Sequence, residues 1–267
     1  MASSVEALNV DLEAQKKAAL QAYRAYAASK VGIPLPVAKF SFEREANRMA
    51  VHGDITYKGT SLHFEAIQPK DSDDVYNYLD SQPLVREQFG NGKIQSREVS
   101  DERVQILSKR FNLSPDGKAE DPDLYLYSAF VVSDEETNRF LGLVYLYGGT
   151  KAGEAEMARL NRVNTWSHRL AAVVSDYAEV DKKAVKEKEY QGIGTAETCA
   201  ILTYAKELKQ KDIKVKNEPL TAVVSTARVS NKGSWMSNAQ AGMEAYDVDI
   251  RKEYGPDLRY HLRKPIL

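Results

Sequence analysis

The sequence is poor in the residues that mark several classes of protein. One cysteine, Cys199, stands among 267 residues. No intramolecular disulfide can form, which excludes a disulfide-built scaffold and fits a reducing, cytoplasmic setting. Acid and base nearly cancel, with 37 Lys and Arg against 38 Asp and Glu. A generic nucleic-acid binder needs a basic surface, so nucleic acid is not an expected partner. No apolar run approaches the ~18 residues of a membrane span. Nor does a basic-then-apolar leader open the chain, since Met1-Ala2-Ser3-Ser4 runs directly into an amphipathic pattern. No membrane partner is expected. Internal repeats and low-complexity tracts are absent. The four histidines are His52, His63, His168 and His261, and no metal site is expected.

What is present is a hydrophobic content of 43%, enough for a full core in a chain of this length. Val5, Leu8, Leu12, Ala19, Leu20, Tyr23 and Ala27 recur at helical spacing over residues 5–29, and the run Val31-Gly32-Ile33-Pro34-Leu35-Pro36 ends the pattern. The charges between them are mixed rather than basic, which favours a helix docked on protein over one lying on a membrane. Residues 47–57 hold an accessory strand or two, turning near Gly53-Asp54 and Lys58-Gly59, and Ser61–Ile67 alternates as a first core strand. Pro69-Lys70-Asp71 then opens a helical region with two helices between 72 and 113. Leu124–Val132 and Arg139–Tyr147 read as an antiparallel hairpin, residues 150–165 as an insertion, and His168–Val180 as one strand. The charged stretch 181–189 reads as solvated surface. Cys199 reads as a small buried hydrophobe.

The most informative stretch is Glu189-Tyr190-Gln191-Gly192-Ile193-Gly194-Thr195-Ala196-Glu197, which opens a long helix from Thr195 to about Lys209. Two glycines at the mouth of a helix let a ligand approach the backbone, and the first-turn N–H groups point outward without intrahelical partners. That suits a phosphate or pyrophosphate. A strand-to-helix turn needing positive φ is the plainer alternative. A polar linker then leads to Leu220–Val229, a β-branched strand, and to a short helix that Ser230 or Asn231 can cap and Gly242 can end. Glu244–Tyr254 and Arg259–Ile266 form a terminal hairpin.

Taken together, the two segments resemble the GNAT superfamily of N-acetyltransferases. Its pyrophosphate loop is Arg/Gln-x-x-Gly-x-Gly/Ala, and its second signature is Asn-x-x-Ser/Ala with Gly-Phe following. Asn231, Ser234 and Gly242-Met243 keep the second spacing. Ser234 and the Thr-Ala-Glu after the loop are most similar to the ribosomal-protein N-terminal acetyltransferase branch. Three positions depart from the pattern. Glu189 replaces the first Arg or Gln, Met243 replaces the aromatic, and Asn238 stands where many relatives carry a Tyr that reprotonates the leaving thiolate.

The resemblance implies an α/β fold: a mixed, mostly antiparallel twisted sheet with helices on both faces, over residues 46–267, preceded by an N-terminal helical extension over 1–45. It implies acetyl-CoA as co-substrate, with Gln191, Gly192, Ile193, Gly194, Thr195 and Ala196 at the pyrophosphate. Val180 would pair with the pantetheine amides, and Asn231 would hold the second helix against the pantetheine arm. The acceptor would be a primary amine, at a protein N-terminus or in a small molecule, and a homodimer is a further expectation. The alternative is a non-catalytic CoA-binding module, to which Glu189 and Asn238 point. A nucleotide-binding protein of another kind would carry Lys-Ser/Thr after the glycines, and this chain does not.

The implied reaction is attack of a neutral amine on a thioester. At pH 7 a lysine of pKa ~10.4 loses its proton at a cost of about 4–5 kcal/mol, and an α-amine near ~8 at about 1.4. An α-amine therefore needs less help from a base. Glu179, on the strand expected to lead to the loop, is the candidate base, with Asp176 and Tyr177 as weaker alternatives. Valine at Gly192 or at Gly194 is expected to weaken CoA binding more than it disturbs folding.

Overall fold

The computed structural model describes residues 2–44, 49–81, 94–110, 127–148, 165–173, 177–180, 183–186, 192–215, 218–250 and 257–267. In chain order the elements are a long helix Ala2–Ala28 (α1), then strands Lys39–Arg44 (β1), Met49–Tyr57 (β2) and Thr60–Ala66 (β3). A 3₁₀ turn at Pro69–Asp71, a helical turn Ser72–Val75 (α2) and a π turn Tyr76–Asp80 lead to helix Arg97–Arg110 (α3). Strands Tyr127–Asp134 (β4), Phe140–Gly148 (β5), Thr165–Val173 (β6), Tyr177–Val180 (β7) and Lys183–Lys186 (β8) precede helix Ile193–Gln210 (α4). The short pair Lys214–Val215 (β9) and Glu218–Pro219 (β10) is followed by strand Ala222–Arg228 (β11), helix Lys232–Gln240 (α5), and strands Glu244–Asp249 (β12) and Arg259–Pro265 (β13).

The chain divides into two compact units, Met1–Leu35 with Val224–Lys264, and Pro36–Val223 with Pro265–Leu267. In the larger unit six strands run in the order β1-β2-β3-β4-β5-β6, and every neighbouring pair is antiparallel. Alternation along β4 distributes its side chains to two faces. Ser128 and Phe130 meet Tyr204 of α4, whereas Ala129 and Val131 join Val75, Leu79, Val104 and Leu107 from the α2–α3 region. Helices therefore cover both faces of this sheet, as expected of the α/β fold. The β2–β3 connection is a two-residue turn in which Lys58 and Gly59 both have positive φ, 52° and 83°. That left-handed pair matches the twist of the strands it joins.

The smaller unit orders its strands β11-β13-β12 and packs α1 against α5 and β12. Tyr23 of α1 is buried, with its ring 5.1 Å from Tyr260 and 5.8 Å from Trp235. Its hydroxyl donates to the Met243 carbonyl at 2.8 Å, and the Tyr260 hydroxyl donates to the Ala19 carbonyl at 3.0 Å. Helix α5 ends in the expected left-handed glycine, Gly242 at φ 81°, with the Met243 N–H donating to Asn238 O.

Three expectations need correction. The sequence pattern marks no strand over 39–44, yet β1 lies there, with Phe40 and Phe42 alternating onto the Tyr204 ring. The single strand over His168–Val180 is two, with β6 ending at Val173 and β7 pairing with β8 in a separate two-stranded ladder. The turn expected near Gly53-Asp54 is absent, because β2 runs through it with Gly53 registered between Phe40 and Phe64. The charged stretch 181–189 contributes β8 at Lys183–Lys186. The expected insertion at 150–165 lies almost entirely outside the described residues. Among the described residues, no helix is long and apolar enough to cross a membrane, and no group of three or more His, Cys, Asp or Glu is placed to hold a metal ion.

Candidate functional site

Helix α4 begins at Gly192, which takes the left-handed conformation with φ 87° and ψ 0°. Its carbonyl accepts from the Thr195 N–H at 2.9 Å and the Ala196 N–H at 3.3 Å. The N–H groups of Ile193 and Gly194 lie ahead of that first carbonyl, at the positive end of an 18-residue helix. Gly192 is required twice over. Its φ disfavours any side chain, and a Cβ there would sit 2.8 Å from Cε1 of Tyr57. Gly194 differs. It is the second helical residue, has no positive φ, and is partly exposed. A helical glycine costs about 1 kcal/mol relative to alanine, so its use there is consistent with space kept for something to approach the backbone.

The turn between β2 and β3 brings a cation to the same place. Lys58 Nζ lies 3.6 Å from the position a Gly192 Cβ would occupy, and 5.3 Å from the centre of the Tyr57 ring. An ammonium next to a helix N-terminus is electrostatically unfavourable by itself, because both ends are positive. An anion between them is attracted by both. The sequence marks Lys58-Gly59 as a turn, but nothing local tells which helix end that turn reaches.

Core packing fixes α4 to the sheet. Ile193, Ala196, Ala200, Tyr204 and Leu208 recur at helical spacing and are buried. The Tyr204 hydroxyl shares a hydrogen bond with Ser128 at 2.9 Å, and the ring packs on Phe40, Phe42 and Phe130. Burial pushes the Tyr204 phenol above its usual pKa despite that bond, so it stays neutral and structural. Cys199 is buried on this helix, as a small hydrophobe would be. The Thr198 hydroxyl donates to the Gly194 carbonyl, and Thr195 is buried.

The second motif lies in the other unit. Asn231 is the N-cap of α5, its side-chain oxygen accepting from the Ser234 N–H at 3.1 Å. The Asn-x-x-Ser spacing is thus a cap spacing, which orients the start of α5. Asn238 is buried at 1% exposure, and its Nδ2 donates to the Ser234 carbonyl at 2.8 Å. Of the other predicted site residues, Gln191 lies outside the described residues, as does Glu189. Glu179 and Val180 lie on β7, where they pair with Ala184 and Lys183. Their ladder is separate from the sheet that holds β6, whereas the sequence pattern continues that strand through them. The structure thus brings Gly192, Ile193, Gly194, Thr195 and Ala196 together, adds Lys58 and Tyr57, and leaves Glu179, Val180 and Asn231 on other elements. Chemically, the loop end of α4 can hold a phosphate-bearing group through backbone N–H donors.

No family model and no curated protein matches the chain. Among solved structures it is similar to a GNAT-family acetyltransferase from Bacillus anthracis, at 14% identity and TM-score 0.47, over 76% of this chain and 94% of that one. It is also similar to an acetyl transferase from Salmonella typhimurium that modifies the N-terminal serine of a 50S ribosomal subunit protein, at 12% identity and TM-score 0.48, over 77% of this chain and 95% of that one. A spermidine N-acetyltransferase from Vibrio cholerae, in complex with CoA and spermine, gives 15% identity and TM-score 0.45, over 77% and 95%. At these identities and scores the likenesses assign neither an activity nor a substrate to this chain.

Proposed function

We propose that the protein is an acetyl-CoA-dependent N-acetyltransferase of the GNAT type, acting on a primary amine. The observation that carries this reading is the end of α4: a left-handed Gly192, a helical Gly194, and first-turn N–H groups with Lys58 beside them. A pyrophosphate answers both the backbone donors and the ammonium. The spacing of the second motif, Asn231 to Gly242, adds to it. In the reaction the neutral amine attacks the thioester carbonyl, the C–N bond forms, and the C–S bond breaks to leave CoA thiolate. The proton shed by the amine goes to a base, to which we assign Glu179 directly or through one water.

Titration calorimetry tests the cofactor. Acetyl-CoA and CoA are expected to bind in the micromolar range, with ATP and NAD competing poorly. Clear binding of ATP with no heat from acetyl-CoA contradicts the reading. Within it, Lys58→Ala is expected to weaken acetyl-CoA binding roughly tenfold, about 1.4 kcal/mol, which is near the worth of one charge-assisted hydrogen bond. Alanine inherits the same left-handed backbone, so the melting temperature should barely change. The gap between variant and parent should narrow as salt is raised. An affinity indifferent to both Lys58 and salt removes this residue from the site.

Glu179→Gln is expected to slow acetyl transfer and steepen its rise with pH between about 7 and 9, where α-amines deprotonate, with cofactor affinity unchanged. An unaltered pH–rate profile takes Glu179 out of the mechanism and makes Asp176 the next carboxylate to test. The second reading, a non-catalytic CoA-binding module, is favoured by one observation. Asn238, at the position of the expected acid, is a buried amide that donates to its own helix and has no proton to give to a thiolate at neutral pH.

A further inference from the structure

A cavity of about 460 Å³ lies within the smaller unit, between α1 and the β12–β13 ladder. It falls in the ~300–1,000 Å³ range of small-molecule sites. Tyr23, Met243 and Tyr246 give it an apolar and aromatic wall, and Arg24, Arg263 and Glu244 supply its charge. Two guanidinium groups against one carboxylate leave the lining net positive.

Arg263 lies against the aromatic wall of the cavity. Its guanidinium carbon stands 5.7 Å from the centre of the Tyr246 ring, and its Nε is buried with no hydrogen-bond acceptor. Glu244 sits opposite it in the strand register but is exposed. Among the described residues, no carboxylate lies in ion-pair range of Arg263. That Nε is closed even to water, so a ligand would meet the terminal N–H groups of the fork, which are not buried and have no acceptor among the described residues. The planar fork of a guanidinium matches the paired oxygens of a carboxylate or a phosphate, and aromatic faces beside it suit a flat apolar body.

We propose that this cavity binds a small organic oxyanion with an aromatic or apolar body, its charged end on Arg263 and its body against Tyr246 and Met243. Arg24, exposed at the rim, adds attraction without enclosing the ligand. The site is formed by the N-terminal helix and owes nothing to the acetyl-CoA reading, so either can fail without the other.

Calorimetry of the full chain with benzoate and with phenyl phosphate tests it, the two probes separating a carboxylate from a phosphate source. At least one should bind saturably in the millimolar range or better. Arg263→Met should weaken that binding roughly tenfold or more, and Arg263→Lys should restore part of it. Gly194→Val should leave it unchanged. In case Arg263→Met does not fold, amide NMR of the parent protein supplies a second readout. Probe-induced shifts should centre on Ala27, Ala245 and Tyr246. Saturation by neither probe overturns the proposal. So does binding indifferent to Arg263, or shifts centred on Gly192–Ala196.

Discussion

Gly194→Val is expected to weaken acetyl-CoA binding roughly tenfold to a hundredfold while the protein remains folded. The residue sits in the first turn of α4 with an ordinary helical backbone. Valine adopts that backbone and is no worse in a helix than glycine, by a few tenths of a kcal/mol at about the host–guest scale. Folding therefore has little to lose. Binding has much to lose, because two methyl groups would stand over the N–H donors that the pyrophosphate is proposed to reach. Calorimetry with acetyl-CoA, run beside a thermal melt, reads both quantities. Normal affinity in a folded variant shows that the ligand lies elsewhere. Gly192 does not behave as its sequence neighbour does, and here the expectation that both valines spare folding is corrected. At φ 87° a side chain costs about 1–2 kcal/mol, and the Tyr57 ring is already in contact. Gly192→Val confounds binding with stability, so Gly194 is the informative position.

Tyr23→Ala is expected to lower the unfolding free energy by about 3–5 kcal/mol, the range for removing a buried aromatic ring. The ring is 1% exposed and lies in contact distance of Tyr260 and Trp235. Its hydroxyl also satisfies the Met243 carbonyl. Burial raises the phenol above its usual pKa, with Tyr260 and Glu244 adding to the shift, so the donor proton is kept through neutral and mildly alkaline pH. Tyr23→Phe isolates that bond and should cost about 1–3 kcal/mol for the buried carbonyl left unpaired. Urea denaturation of the two variants against the parent gives both values. A Tyr23→Ala protein as stable as the parent would mean that the Tyr23 ring and its hydrogen bond contribute nothing to the unit.

Much of this was legible in residues alone. The Gly192–Ala196 helix mouth, the cap at Ser230 or Asn231, the Gly242 stop and the β4–β5 hairpin are local signals, each written within a few residues. Each is present, although the helix starts two residues earlier than expected, at Ile193, and so takes in Gly194. What escaped was non-local or masked by composition. Phe40 and Phe42 alternate as a strand should, but the run is short, and its partner Tyr204 lies far along the chain. Lys58 reaches Gly192 only because a tight two-residue turn aims the β2–β3 hairpin at α4. Glu179 lies on β7, which pairs with β8 apart from the sheet, and the only local hint is Ser175-Asp176, turn-forming types set in an otherwise plausible strand pattern.

The most direct measurement is CoA thiol release from acetyl-CoA in the presence of three kinds of acceptor: free polyamines, lysine peptides and peptides with a free N-terminus. The proposed function requires acceptor-dependent release that saturates with acetyl-CoA, matched by a mass gain of one acetyl group on the amine. Bound acetyl-CoA with no transfer to any of the three would contradict it and leave a protein that holds the cofactor without using it.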